Sequence, residues 1–152
     1  MADPLLQSLS AHRERTGEPM KVLMVNTGGT FTCLPNKKGL LEPIQSEKEL
    51  NKLITDGLNL KTFVNKGLLK IRIIHLFNVD SSQMTEKQRD QIVNAIQADY
   101  TEIDGVVIIH GTDTGADTAK FLHLALPYYD PRTIWKDEIR NFNWGKPVLV
   151  LS

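Results

Sequence analysis

Two apolar runs in this chain empty directly into small, glycine-containing polar segments. Lys21-Val22-Leu23-Met24-Val25-Asn26 leads into Thr27-Gly28-Gly29-Thr30, and Val106-Val107-Ile108-Ile109 leads into His110-Gly111-Thr112-Asp113-Thr114. A short β-branched run closed by glycine reads as a buried strand followed by the loop at its C-terminal end. In an open parallel sheet such ends meet at one edge, so hydroxyls, a carboxylate and glycine-freed backbone N–H groups are expected to face one cleft. That set of groups suits acyl chemistry.

The intervening sequence fits an alternating β/α series. Asp3 followed by Pro4 reads as an N-cap and first helical position, with Leu5, Leu6, Leu9 and Arg13 on a helical stripe that Gly17 and Pro19 stop. Residues Phe31–Pro43, with two prolines and Lys37-Lys38-Gly39, read as a long loop or hairpin beside the first mouth, a candidate lid. Ser46 with Glu49 and Thr85 with Gln88 have capping-box spacing, so helices are expected to begin near both. Between them Leu69 to Phe77 reads as the second strand, ending at Asn78-Val79-Asp80-Ser81-Ser82. A strand at 105–110, a helix from about Gly115 to Leu126, an aromatic and charged stretch over Pro127–Gly145 and a last apolar run Pro147–Leu151 complete the series. The architecture is therefore α/β, doubly wound and Rossmann-like or flavodoxin-like, with a mostly parallel sheet. Val148 to Leu151 is apolar on both faces and expects cover on both, so the sheet reads as truncated at its C-terminus.

At 152 residues the chain is long enough for one such domain. Lys plus Arg and Asp plus Glu balance at 18 each, which leaves no basic field for nucleic acid. The single cysteine, Cys33, cannot form an internal disulfide or a multi-cysteine metal site, and is read as incidental. His75 and His123 have no second His or Cys at ligand spacing, so no metal is expected. The first residues lack a basic segment followed by an apolar core, and no run approaches about 18 apolar residues. A cytoplasmic protein without a membrane partner is expected.

A threonine hydroxyl attacks a carbonyl only when a base takes its proton and preorganised donors hold the oxyanion. Thr30 is placed for the first role, and the Gly28 and Gly29 backbone for the second, since a side chain there would obstruct close approach to a bound carbonyl. Asp80, Ser81 and Ser82 could bind the charged groups of a small amino acid or simply form a turn leading to the Thr85 cap. An Asp113 carboxylate held by backbone N–H groups would stay ionised to receive an ammonium; alternatively Asp113 or Thr114 caps the helix that follows.

Taken together, Thr27-Gly28-Gly29-Thr30, Asp80-Ser81-Ser82-Gln83-Met84-Thr85 and His110-Gly111-Thr112-Asp113-Thr114, with Thr118-Ala119 beyond, closely resemble the N-terminal part of the bacterial-type L-asparaginase family. That family includes animal asparaginase/lysophospholipase proteins and the amidotransferase subunit acting on glutamyl-tRNA. The resemblance implies hydrolysis of L-asparagine to L-aspartate and ammonia, or of L-glutamine, with Thr30 as the nucleophile of a β-aspartyl ester. It assigns the substrate α-carboxylate to Ser81, helped by the Asp80–Ser82 turn, and the α-ammonium to Asp113. Thr112 belongs to a second catalytic group, and no metal or organic cofactor is implied.

In the family a lysine well downstream pairs with the threonine at the Thr112 position; Lys146 comes too early to be that residue. Many members carry a lid tyrosine, whereas this chain has none between Thr30 and Tyr100. Members are about twice as long, so the resemblance divides this chain into an N-terminal helical extension, 1–19, and an incomplete N-terminal α/β domain, 20–152, without the C-terminal domain. It also implies a homo-oligomer for the full-length form. The alternatives are a catalytically incomplete fragment acting as a binding or interaction domain, a lysophospholipase-like hydrolase needing a long apolar channel, and a phosphate site at Gly28-Gly29. The last lacks a Gly-Lys-Ser/Thr sequence after the glycines.

Overall fold

The computed structural model describes residues 3–44, 46–126 and 146–151. Strands β1 (Met20–Asn26), β4 (Leu69–His75), β5 (Gly105–Ile109) and β6 (Val148–Leu151) form one sheet in the order β4-β1-β5-β6. All its pairings are parallel. Counting only these strands, the order is 2-1-3-4, the start of the flavodoxin-like arrangement expected from the sequence. Strands β2 (Cys33–Pro35) and β3 (Leu41–Pro43) pair separately as an antiparallel hairpin, which gives the Phe31–Pro43 segment its hairpin form.

Alternation along β1 and β5 divides the core between the two sheet faces. Leu23, Val25, Val106 and Ile108 point to one face and pack with Ile92, Val93 and Ile96 of α4 (Glu86–Asp99) and Leu122 of α5 (Gly115–Ala125). Met24 and Ile109 point to the other and meet Leu50 and Ile54 of α2 (Glu47–Gly57). Leu9 of α1 (Pro4–Thr16) joins Phe63 of α3 (Lys61–Asn65) and Leu69 in a third cluster. Central β1 and β5 are thus covered on both sides, which rigidifies the two loops that leave their C-terminal ends.

The helix ends follow the sequence signals closely. Asp3 accepts from Leu5 N at the start of α1, and Gly17 ends the helix in the left-handed region at φ 76°. Thr85 and Gln88 form a complete capping box at α4, while Ser46 accepts from Glu49 N at α2. The short α3 was not foreseen: it has no side-chain cap, and buried Phe63 seats it against Leu9 and Leu69. On β6, Val148 and Val150 pack into the first cluster, but Leu149 and Leu151 are exposed. Among the described residues, therefore, only one of its faces is covered. The aromatic stretch at 127–145 lies outside the described residues.

Ile96 is fully buried between α4 and the sheet. Ile96→Ala should cost about 2–5 kcal/mol of unfolding free energy by urea titration, against about 1 kcal/mol for Thr85→Ala, which loses a cap.

Candidate active site

Loops leaving the C-terminal ends of β1, β4 and β5 surround a cleft of about 300 Å³. The first contributes Gly28, Gly29 and Thr30, the second Asn78 to Ser81, and the third Gly111 to Asp113. Cys33 and Pro43 of the hairpin form its outer wall. The cleft sits where the strand order reverses beside β1, the position at which open α/β sheets bind ligands.

Two glycines allow the loops to approach this closely. Gly28 has φ 112°, and a Cβ there would lie 2.9 Å from both Val79 N and Val79 O. Gly29 has φ 92°, and its Cβ would lie 2.8 Å from His110 O. The sequence suggested that a side chain here would obstruct a bound carbonyl; the structure shows that it would first strike the neighbouring loops. The same contacts are stitched by hydrogen bonds from Val79 N to Thr27 O at 3.1 Å and from Thr27 N to Ile109 O at 3.0 Å.

Backbone donors are unequally available. Gly28 N–H donates to the Asn26 side chain, Oδ1 at 3.1 Å, whereas the Gly29 N–H has no hydrogen-bond partner among the described residues. Fully buried Asn26 is the hub of this turn: its Oδ1 also accepts from Thr32 Oγ1 at 3.4 Å, and its Nδ2 donates to His75 Nδ1 at 2.9 Å. The half-buried His75 ring is thereby tied to β1 through its Nδ1. Thr30 opens a 3-10 turn, Thr30–Thr32, and is exposed at the cleft.

Ser81 is buried, and its Oγ accepts from Asp113 N at 3.1 Å while its carbonyl accepts from Thr114 Oγ1 at 2.6 Å. These bonds tie the second loop to the third and leave the Ser81 O–H to donate. They also show that Asp113 and Thr114 do not act as side-chain caps of α5. Nor is Asp113 the carboxylate held by a backbone N–H. That carboxylate is Asp80, whose Oδ1 accepts from Ser82 Oγ at 2.7 Å and Ser82 N at 3.0 Å. The Ser82 hydroxyl and then its N–H hold the Asp80 carboxyl below its ordinary value of 3.8. Ser82 itself does not line the cleft; it orients Asp80.

The chain matches the family described as "Asparaginase, N-terminal" over residues 21–132. It belongs to the asparaginase family. It is 40% identical over 72 residues to L-asparaginase 1 of Escherichia coli K12, covering 47% of this chain and 17% of that protein. L-asparaginase of Thermococcus kodakarensis is 30% identical over 103 residues, covering 68% of this chain and 29% of that one. Its solved structure matches with a TM-score of 0.55 over 69% of this chain and 30% of its own. A probable cytoplasmic L-asparaginase from Campylobacter jejuni matches at 26% identity and a TM-score of 0.54, over 69% of this chain and 31% of that one. The chain spans less than a third of the length of each of these relatives.

In this asparaginase-family chain Lys146 lies two residues before β6, at the opposite end of the strands from the cleft. It donates to Tyr100 O and stands over the Tyr100 ring, 5.0 Å from the centroid. Burial pulls its ammonium below the ordinary lysine range, with Asp104 and Glu102 opposing. Its place confirms that it does not reach Thr112. Sequence reasoning gave no site role to Asn78, Cys33 or Pro43: Asn78 opens the polar end of the second strand but no spacing rule marks it, and Cys33 lies at the wall, where its Sγ donates to Gly29 O at 3.6 Å. Among the described residues no cluster of His, Cys, Asp and Glu could hold a metal ion, and no helix is long and apolar enough to cross a membrane.

Two measurements check this geometry. Asp80 should titrate below 3.8 by NMR, and Ser82→Ala should move that titration upward. Because the folded value is depressed, the Asp80–Ser82 contact is present above 3.8 and fades as pH falls through the lower folded value. Gly29→Ala should lower stability by about 1–3 kcal/mol from backbone strain, read by denaturant unfolding.

Proposed function

We propose that this chain carries the nucleophile half of an L-asparagine amidohydrolase site. The supporting observation is the convergence of Thr30, Asp80, Ser81, Thr112 and Asp113 on one small cleft, delivered by three strand ends. Its size suits a single amino acid better than an acyl chain, and a long apolar channel does not line it among the described residues.

In this reading the Ser81 O–H donates to the substrate α-carboxylate, and the exposed Asp113 carboxylate receives the α-ammonium. The side-chain amide then lies against Thr30, with the Gly29 N–H facing its carbonyl oxygen. Thr30 Oγ1 attacks the amide carbon while its proton passes through the Thr112 hydroxyl to the base that pairs with that position, a downstream lysine in the family, which returns it to the leaving nitrogen. Collapse of the tetrahedral adduct breaks the C–N bond and releases protonated nitrogen as ammonia. Water then cleaves the β-aspartyl ester, regenerating Thr30 and giving L-aspartate. L-Glutamine differs by one methylene, so discrimination rests on cleft depth. No metal or organic cofactor enters the scheme.

The same reading takes residues 1–19 as an added helical segment and 20–152 as part of the family's N-terminal domain. It places the protein in the cytoplasm, acting on a free amino-acid amide and assembling as a homo-oligomer in its full-length form.

Ammonia release from L-asparagine and L-glutamine by the purified chain, beside Thr30→Ala, tests the proposal. The expected result is release that falls about 10²–10⁴-fold in the variant. No release from folded wild-type chain would leave an incomplete domain that binds amino acids or a longer partner.

A further inference from the structure

His110 separates β5 from the cleft and is 2% exposed, yet both its ring nitrogens are engaged. Nδ1 lies 2.7 Å from Gly111 O, and Nε2 lies 2.9 Å from Thr118 Oγ1 on α5. Arg89 Nε on α4 donates to that same Thr118 oxygen at 3.3 Å. A carbonyl oxygen can only accept, so in the neutral imidazole the proton resides on Nδ1. Nε2 is then bare and accepts from the Thr118 hydroxyl, whose oxygen in turn accepts from Arg89. The donations run in one direction, from Arg89 through Thr118 and His110 to Gly111 O.

This relay ends on the Gly111–Thr112 peptide, next along the chain from the His110–Gly111 peptide against which Gly29 packs. His110 O and Gly111 N are 2.8 and 3.0 Å from where a Gly29 Cβ would lie, beside Thr30. A Cβ on Gly111 would fall 2.6 Å from Ser81 Oγ, the acceptor of the Asp113 N–H. The Gly111 carbonyl held by the His110 ring belongs to the peptide that leads into Thr112. Rotation of that peptide would move Thr112 and Asp113 together.

We propose that Arg89 and Thr118 are positioning residues: by donating to Nε2, Arg89 through Thr118, they hold the Nδ1-protonated His110 ring against the Gly111 carbonyl and thereby set Thr112 and Asp113 in the cleft. The catalytic consequence rests on the amidohydrolase reading above; the tautomer and the loop position do not. The donor order also explains why a histidine suits this place. A buried ring can accept from one helix on one side and donate to its own loop on the other, whereas an aliphatic side chain would leave the Gly111 carbonyl without this donor and the Thr118 hydroxyl proton without this acceptor.

Long-range ¹⁵N–¹H NMR of the ring, with amide exchange at Asp113, tests the inference in the intact chain. The expected result is an Nδ1-protonated His110 in the wild type. Thr118→Val should leave Nε2 without its donor, loosen the ring from the Gly111 carbonyl and speed Asp113 exchange at least tenfold, while Thr118→Ser keeps the wild-type ring and exchange. Ammonia release should fall between about tenfold and a hundredfold in Thr118→Val and recover in Thr118→Ser. Arg89→Met, which removes only the outermost donor, should move the same readouts in the same direction by less, and serves if Thr118→Val does not fold. An Nε2-protonated or doubly protonated ring in the wild type would overturn the inference. So would unchanged Asp113 exchange in a folded Thr118→Val chain. A wild type that shows the expected ring and loop but releases no ammonia would instead defeat the amidohydrolase reading and leave the positioning role supported.

Discussion

Everything at the cleft depends on two backbone approaches that only glycine permits. Gly28 lies against Val79 and Gly29 against His110, each in the positive-φ region, with no room for a Cβ in either contact. These approaches wedge the β1 loop between those of β4 and β5, so three strand ends separated by tens of residues become one polar surface. Thr30 follows the second glycine immediately, and its position is therefore inherited from the packing of Gly29. Steric exclusion does more here than any single hydrogen bond, because it leaves the turn little alternative path.

Hydrogen bonds then give the wedge its orientation. Asn26 consumes the Gly28 N–H and holds Thr32 and His75, so the turn is anchored to its own strand and to β4. Ser81 binds the Asp113 amide and the Thr114 hydroxyl, joining the β4 and β5 loops. Buried polar groups of this kind are costly unless all are paired, which favours one arrangement of the loops over many. Thr30, Asp80, Thr112 and Asp113 line the cleft and are exposed.

Much of the architecture was legible in advance. Asp3-Pro4, Gly17, Thr85 with Gln88, and the apolar runs from Val22, Leu69 and Val106 act locally, through capping, positive φ and burial of alternating faces, so their meaning survives without knowledge of distant contacts. The convergence of the three mouths was legible too, because parallel β/α connections bring strand ends to one edge whatever the loops contain. By contrast, α3 has no cap and exists because Phe63 finds Leu9 and Leu69, residues far away along the chain. Cys33 and Asn78 enter the cleft for similar reasons of placement. The carboxylate held by a backbone N–H proved to be Asp80 instead of Asp113, since which side chain curls back onto its own turn is decided by how that turn packs.

The sequence by itself determined the alternating α/β order, the polar strand ends and the family to which the chain belongs, because periodicity, caps and contiguous motifs are properties of neighbours along the chain. Only the tertiary structure decided where each motif residue lies and which hydrogen bonds it makes. It turned the Gly28 N–H away from the cleft toward Asn26, put Lys146 at the far end of the strands, and linked Arg89 and Thr118 to His110. Those outcomes depend on distances between residues remote in sequence, which folding sets through packing and which no local pattern encodes.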